Sequence, residues 1–448
     1  MKKVISLLLT LSLLLGIGSM LSVAAADEGI KVGFARFDFT PDYPAPLGGI
    51  SARDSEGTLT PDDRVYATVV AISGSDGNTA LICTTDLVRT ETEWVAPLRA
   101  AMSKASGVPE SNINISATHT HSSIDTASST ACGIDSPFYE TYVAGLAKAA
   151  KEAVADLSPV TTKVGTVDIP HLNQVRHTWR GNGHVNGANF ESSDAGRWFK
   201  EATHQADPEL RIIRFVREGK KDVLMLNWQA HATTASCTTD YGRAHKQYIS
   251  ADFIGHCRNY LEAQDGDCLV AYYSGASGDV NPFHLVKARR DLENCPEDTT
   301  VYGARLGQYI MDALKNLKSI DVSGSVKTMR MVPPALDKSF TSVMRNSELN
   351  AISVGKSIGF VAASCELFCE TGKYIRDNSP FEITFVLTQA NGKNHYVPSF
   401  SSYDYPEILA STPTANPIVY EVTVTKNAKG TAEDYAYSLV AMLNALYK

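Results

Sequence analysis

Hydrophobic and polar positions change their period several times along the chain. "KVGFARFDFTP" (31–41) alternates with period two and stops at a proline, the pattern of a half-buried strand. "VYATVVAIS" (65–73) and "TALICTTDLV" (79–88) flank the turn signal "GSDGN" and predict a hairpin. "TETEWVAPLRAAMSKASG" (90–107) reads as a helix ending in glycine, and "NINISATHTH" (112–121) as the next strand. "SPFYETYVAGLAKAAKEAVADLSP" (136–159) has clear 3.6-residue periodicity and predicts a helix, after which "TKVGTVDIPHLNQVRH" (162–177) predicts extended chain. Residues 178–206 are polar and glycine-rich, the composition of a surface excursion.

The second half continues in the same way. "LRIIRFVRE" (210–218) and "KDVLMLNWQAHATT" (221–234) predict a hairpin, and "SADFIGHCRNYLEAQ" (250–264) a helix. "CLVAYYSGASGDVNP" (268–282) is a buried strand breaking into a glycine-rich loop. "TVYGARLGQYIMDALKNL" (300–317) and "TAEDYAYSLVAMLNALYK" (431–448) predict helices. "SIGFVAASCELFCETGKYIRD" (357–377) predicts strand, loop and helix, and "FEITFVLTQANGKNHYVPS" (381–399) strand then loop. Strands alternating with helices predict an α/β fold, mixed β-sheets layered with helices. Its polar clusters lie at the C-terminal ends of strands, where sites of such folds collect. No repeat or linker divides the chain, so residues 27–448 are expected to form one large domain or two intimately packed ones.

The first 26 residues change the picture of where the protein works. Lys2 and Lys3 precede a long apolar run that ends in small residues at Ala24–Ala26. This is the layout of a bacterial secretory signal peptide, and implies an exported protein, secreted or on the exterior of the cell envelope. The formal net charge is −8, with Lys and Arg scattered, which argues against nucleic acid as a partner. Eight cysteines in 448 residues make no disulfide scaffold and form no CxxC zinc ribbon. Cys365 and Cys369 read equally as small buried residues or as partners.

Four strand ends carry candidate chemistry. In "SATHTHSS", His119 and His121 are two apart, so on a strand both point to one side, as metal ligands or as hydrogen-bonded structural histidines. His231 in "LNWQAHATT" is a lone histidine, significant only as a third imidazole. Glu366 in "SCELFC" either caps the following helix or binds metal. The "SGASGDVNP" loop offers backbone N–H groups for an anion nest, or is a structural turn with Asp279 capping. There is no HExxH, GxSxG or Walker A pattern. Tyr272, Tyr273, Phe283, Phe400, Tyr403 and Tyr405 near these motifs line an apolar groove or belong to the core, and core is the commoner role of such aromatics.

In order, these segments resemble the neutral/alkaline ceramidase family, zinc amidases of N-acyl sphingosines, over roughly residues 31–445. "VGFARFDFTP…PLGG" resembles the family's "G.A.ITP…P..GY", and "ISATHTHSS" its "ISATHTHSG", the most specific element. "NQVRH", "NWQAHATT", "SADFIG", "SGASGDVNP", "SCELF" and "NHYVPSFSSYDY" are similar to further family segments. The resemblance implies Zn2+ held by His119, His231, Glu366 and Tyr396. It places His121 beside the metal as proton shuttle or water orienter, and Arg176 on the substrate oxygens. The implied substrate is ceramide or a related N-acyl lipid, with transient membrane-surface contact and no obligate protein partner.

Three departures matter. Asn281 stands where the family carries a serine once proposed as nucleophile, so a serine acyl-enzyme route is not expected. The amide can instead donate a hydrogen bond to an oxyanion. Nothing after the catalytic region reads as the family's C-terminal β-sandwich. Residues Pro406 to Ile418 look like an insertion near the expected pocket mouth. Two alternatives therefore accompany the lipid amidase: a zinc esterase or amidase for a non-lipid substrate, and a non-catalytic ligand-binding homologue.

Overall fold

The computed structural model describes residues 29–448 apart from 44, 50–57, 60–62, 127–132, 135, 180–184, 187–201, 238–247, 283–298, 346 and 405–418. The signal segment, Phe283, Tyr405 and the stretch Pro406–Ile418 lie outside the described residues.

Two sheets lie face to face at the centre. The larger has nine strands among the described residues. Its main path runs β8 (Cys268–Ser274), β7 (Asp222–Trp228), β6 (Glu209–Arg217), β5 (Ser158–Asp168), β1 (Lys31–Asp38), β2 (Tyr66–Ser73), β3 (Thr79–Thr85) and β4 (Ile113–Ala117), with Lys318–Ile320 paired to β5. The smaller sheet has the order β9 (Val326–Met331), β10 (Leu349–Val354), β11 (Ile358–Ala363), β12 (Ile383–Leu387). Both predicted hairpins form, with Val70 opposite Ile82 and Ile213 opposite Met225.

Most neighbours are antiparallel, but β3–β4, β7–β8 and β11–β12 are parallel. Each parallel pair is joined through a helix: α1 (Thr92–Ser106), α3 (Asp252–Gln264) and α5 (Cys369–Asp377) respectively. A parallel connection needs such a crossover, because a tight turn cannot reverse the chain twice. Together with α2 (Pro137–Ala155), α4 (Thr299–Leu314) and α6 (Thr431–Tyr447), the helices cover both outer faces. α1 and α2 bury Leu98, Met102 and Leu146 against Val69, Leu81 and Ile115. α3 and α4 bury Phe253, Tyr302 and Leu306 against Leu224 and Leu226. α5 and α6 cover the smaller sheet through Ile375, Leu439 and Leu443. Val70, Ile82, Phe215 and Tyr273 meet Ile352, Phe360 and Phe385 between the sheets.

The result is an α/β fold of four layers, helix–sheet–sheet–helix. Burial on both faces explains why the central strands read as continuous apolar runs. Tyr272 and Tyr273 are core residues, their hydroxyls donating to Trp228 O and Ile82 O. The region between Lys318 and Val354, to which the periodicity assigns no element, supplies the edge strand β9, the central strand β10 and a short ladder, Ala335–Leu336 with Val343–Met344.

Candidate metal centre

Strands β4, β7, β8, β11 and β12 each run into a polar segment, and these segments meet. β4 ends at Ala117, two residues before His119. The backbone of His119 is left-handed, with φ 64°, and Thr120 bridges Ala232 beyond β7. His119 and His121 therefore converge through a turn and not through strand alternation, which is a correction to the sequence reading of how they meet. Their rings stand edge to face, with centroids 4.7 Å apart. His231 follows β7, and its ring lies 4.7 Å from that of His119.

Each imidazole is held by a main-chain carbonyl on Nδ1: His119 by Val88 O at 2.6 Å, His121 by Gly49 O at 2.9 Å and His231 by Val280 O at 3.1 Å. A carbonyl only accepts, so each Nδ1 carries a proton, which leaves each Nε2 as the nitrogen able to bind a metal. The three Nε2 atoms turn toward one another, His119 to His121 at 3.2 Å. Glu366 Oε2 lies 3.2 Å from His119 Nε2 and 3.3 Å from His231 Nε2. Burial, reinforced by the two neighbouring histidines, pushes the pKa of His121 well below its ordinary value. Burial likewise lowers that of His231. Burial would raise the carboxyl of Glu366, but positive charge on His119 and His231 outweighs it and holds it well below the usual carboxylate range, a role that a bound cation would take over from these rings.

Four potential metal donors thus face one point, and among the described residues the buried His231 Nε2 and Glu366 Oε2 have no hydrogen-bond partner. Uncompensated lone pairs at such range repel. Donors about 2.1 Å from a tetrahedral ion lie about 3.4 Å from one another, close to the spacings found here. The residues therefore fit a divalent cation. His119, His121 and His231 group as potential ligands by proximity alone. His121 differs from the other two in being half-buried, which leaves it at the open side.

Glu366 does not cap α5. It lies in the two-residue strand Glu366–Leu367, paired in parallel with Tyr396–Val397, so Glu366 and Tyr396 are direct neighbours. The N-terminus of α5 is instead held from another segment, since Cys369 N–H donates to Asp279 Oδ1 at 2.8 Å. Tyr396 stacks on His231 with centroids 6.4 Å apart. Burial and the nearby Glu366 raise its phenol pKa well above normal, a tendency that a bound cation would oppose.

Arg176 is buried with its guanidinium 5.3 Å from the centroid of the Tyr396 ring. It donates to Glu421, to Gly278 O at 2.5 Å and to Asn281 Oδ1 at 3.4 Å. Several of its donors are thus committed to the protein, which suits holding the site's shape. The loop predicted to form a nest commits two amides in the same way: Gly278 N–H donates to Leu367 O, and Val280 N–H to Ser277 O. Gly278 itself is required sterically, because a Cβ there would lie 2.9 Å from the carbonyl oxygens of both Glu366 and Leu367.

Sequence reasoning missed Glu421 and His177. Glu421 is fully buried and accepts from Arg176 and from His177 Nε2, the latter at 2.8 Å. No local pattern marks Glu421; His177 was visible only as the neighbour of Arg176. His204, inside the stretch read as surface, reaches Asp279 Oδ2 at 2.8 Å. Cys83, Cys257, Cys268, Cys365 and Cys369 are buried free thiols.

A layered α/β fold with imidazole and carboxylate donors gathered at its strand ends defines a candidate metallohydrolase. The family profile described as neutral/alkaline non-lysosomal ceramidase, N-terminal, matches residues 62–313, more than half of the chain, and the protein belongs to that family. Membership makes it a ceramidase-like hydrolase of an amide bond. Two solved structures are similar, a neutral ceramidase from Pseudomonas aeruginosa and a ceramidase complexed with C2. Each has a TM-score of 0.71 and 16% identity, covering 94% of this chain and 75% of the other, a likeness that bears on the fold alone. No protein of curated function matches the sequence.

Proposed function

We propose that the protein is an exported zinc-dependent amidase that hydrolyses the N-acyl bond of ceramide or a related N-acyl lipid. The observation that carries this reading is the convergence of three imidazole Nε2 atoms and a carboxylate, His119 lying 3.2 Å from both His121 and Glu366 and His231 3.3 Å from Glu366, in a chain of the ceramidase family. Of the four converging groups His119, His231 and Glu366 would hold the ion, joined by Tyr396 from the strand beside Glu366, with His121 left at the open side. A mixed imidazole and oxygen set suits zinc, which when bound supplies a Lewis acid and an acidified water.

The remaining roles belong to side chains. His121 stands at the open side, its Nδ1 fixed by Gly49 O, so Nε2 is the atom that takes up or returns a proton. It is kept neutral and therefore able to accept a proton. Asn281 accepts from Arg176 on Oδ1 at 3.4 Å, and its amide is the group proposed to donate to a developing oxyanion. An amide side chain cannot serve as a serine-type nucleophile, so attack by water is the chemistry these residues suit. The leader sequence supports export, and the domain is taken as residues 27–448.

The test is elemental analysis of wild type and His119→Ala, with turnover of a fluorogenic long-chain N-acyl amine with and without chelator. One zinc per wild-type chain, little in the variant and loss of turnover on chelation are expected. Equal zinc in both proteins, or chelator-insensitive turnover, overturns the assignment. Parallel assays on ceramide, N-acyl amino acids and esters separate the lipid amidase from the same centre acting on another bond.

A further inference from the structure

Between Asp321 and Glu348 the chain carries Lys327, Arg330, Lys338 and Arg345 against Asp337 alone, in a protein whose net charge is −8. The same stretch exposes Met329, Met331, Val332, Leu336, Phe340 and Val343. Phe340, at the tip of the Ala335–Leu336/Val343–Met344 ladder, is 62% exposed, and Val343 is 63% exposed. The hairpin itself exposes Leu336, Phe340 and Val343, with Met329 and Met331 on the adjoining strand β9, more than the single exposed apolar residues that any surface shows.

The tip is built to hold this shape. Asp337 accepts hydrogen bonds from Ser339 Oγ, from Thr341 through both N and Oγ1, and from Ser342 N. These bonds tie its carboxylate into the turn and hold Phe340 at φ 59°, a conformation an aromatic residue adopts only when its surroundings impose it. The hairpin is also clipped to the site. Lys338 N–H donates to Lys426 O, Ala428 N–H donates to Leu336 O, and Asp337 bridges Asn427. On the same strip Thr425 Oγ1 donates to Tyr396 O at 2.7 Å. The exposed hairpin, residues 425–428 and the candidate ligand Tyr396 therefore form one connected unit.

We infer that this hairpin docks on a lipid bilayer carrying anionic headgroups, with Phe340 and Val343 entering the interface and Lys327, Arg330, Lys338 and Arg345 meeting phosphate and carboxylate groups. Exposed apolar side chains at a tip that also carries exposed Lys338, with Arg345 next to it, are what such a surface binds, and at about 0.1 M salt the attraction fades over about 10 Å. The inference deepens the proposed lipid-amide reading by naming how the site reaches a membrane substrate, but it is tested without turnover.

The experiment is cosedimentation of the full chain with phosphatidylcholine vesicles containing or lacking phosphatidylglycerol, at about 0.1 M salt. Two double variants, Phe340→Ser/Val343→Ser and Lys338→Glu/Arg345→Glu, accompany the wild type, with thermal melts as the folding control. Wild type should bind the anionic vesicles at least about tenfold more tightly than the neutral ones. Each double variant should lose about tenfold or more on the anionic vesicles while melting as the wild type does. Equal binding of wild type and both variants, or no vesicle binding by wild type, overturns the proposal. So does a lipid-free dimer that the Phe340/Val343 variant abolishes, which would assign the patch to a second copy of the chain. Vesicle binding without amidase activity would instead sink the proposed reaction and leave the docking surface standing.

Discussion

Glu421 is where the site can be loosened without touching a candidate ligand. Its carboxylate is fully buried and accepts from Arg176 and from His177. Burial would raise its pKa, but Arg176 and then His177 reverse this and hold it below the usual carboxylate range. Removing it leaves the buried Arg176 guanidinium without its counter-charge. Breaking a buried pair from one side costs about 3–5 kcal/mol, a large part of a total stability of about 5–15 kcal/mol. Glu421→Ala is therefore expected to be marginally stable. Glu421→Gln keeps the shape and one acceptor oxygen, and should lose about 1.5–3 kcal/mol. The double variant Arg176→Met/Glu421→Leu removes both charges and should lie nearer the wild type than Glu421→Ala does. Urea unfolding of these proteins, of Arg176→Met and of Glu421→Leu gives the coupling energy directly. If the double variant costs the sum of its two singles, the pair is not coupled and the reasoning fails. Glu421→Gln should retain its zinc, since the carboxylate lies behind Arg176 and is no proposed ligand, whereas loss of zinc would mean that the network supports the ligands themselves.

His121→Ala should keep bound zinc while losing about 100-fold or more in kcat, whereas His231→Ala should lose the metal; similar zinc loss in the two would make His121 a ligand. A Cβ added by Gly278→Ala must displace the backbone of Glu366 and Leu367, so this variant should bind zinc more weakly in equilibrium dialysis with every proposed ligand present. Burial disfavours the charged form of His204, but its hydrogen bond to Asp279 outweighs this and raises its pKa. The stabilisation is therefore complete below a pH of about 6.5 and lost as the pH rises through the raised value. His204→Gln should accordingly lower the Tm more at a pH of about 5.5 than at about 9, and an equal effect at both would show that the pair is not ionic.

Long periodic segments were legible because their signal is local. The helix predicted over 136–159 is observed as Pro137–Ala155, with Ser136 Oγ accepting from Tyr139 N–H. The hairpin of β2 and β3 carried both its apolar runs and its turn. β9 and β10 were not legible: β9 is a mostly exposed edge strand in which Lys and Arg interrupt the apolar residues, so its pattern carries little contrast. For the site, the histidines announced themselves as polar residues ending apolar strands. Glu366 was ambiguous in isolation, because an acid just before a helix satisfies the capping pattern whatever else it does. Only the fold reveals that the cap is Asp279, from a segment 90 residues away. Glu421 lay beyond sequence reasoning for a related cause. Its meaning depends on a buried cation 245 positions distant, and no local pattern encodes such a partner.

The same logic separates what this architecture fixes from what it leaves to vary. Three parallel strand pairs, each closed by a crossover helix, deliver their polar ends to one place. His119 follows the first pair, while His231 and Tyr396 follow strands of the second and third, and Glu366 lies between β11 and α5. Each donor is then aimed by main-chain atoms: carbonyls on the three Nδ1 atoms, and the short parallel ladder that sets Glu366 beside Tyr396. Main-chain aiming depends on the fold and not on the identity of neighbouring side chains. A centre of this kind can therefore keep its donor geometry while residues around it, such as Asn281, change the chemistry at its edge. Replacing Asn281 by serine tests that separation. The ligand geometry should survive unchanged, zinc content with it, and only kcat and the substrate preference should move. A shift in zinc affinity on that single substitution would show that donors and surroundings are not independent.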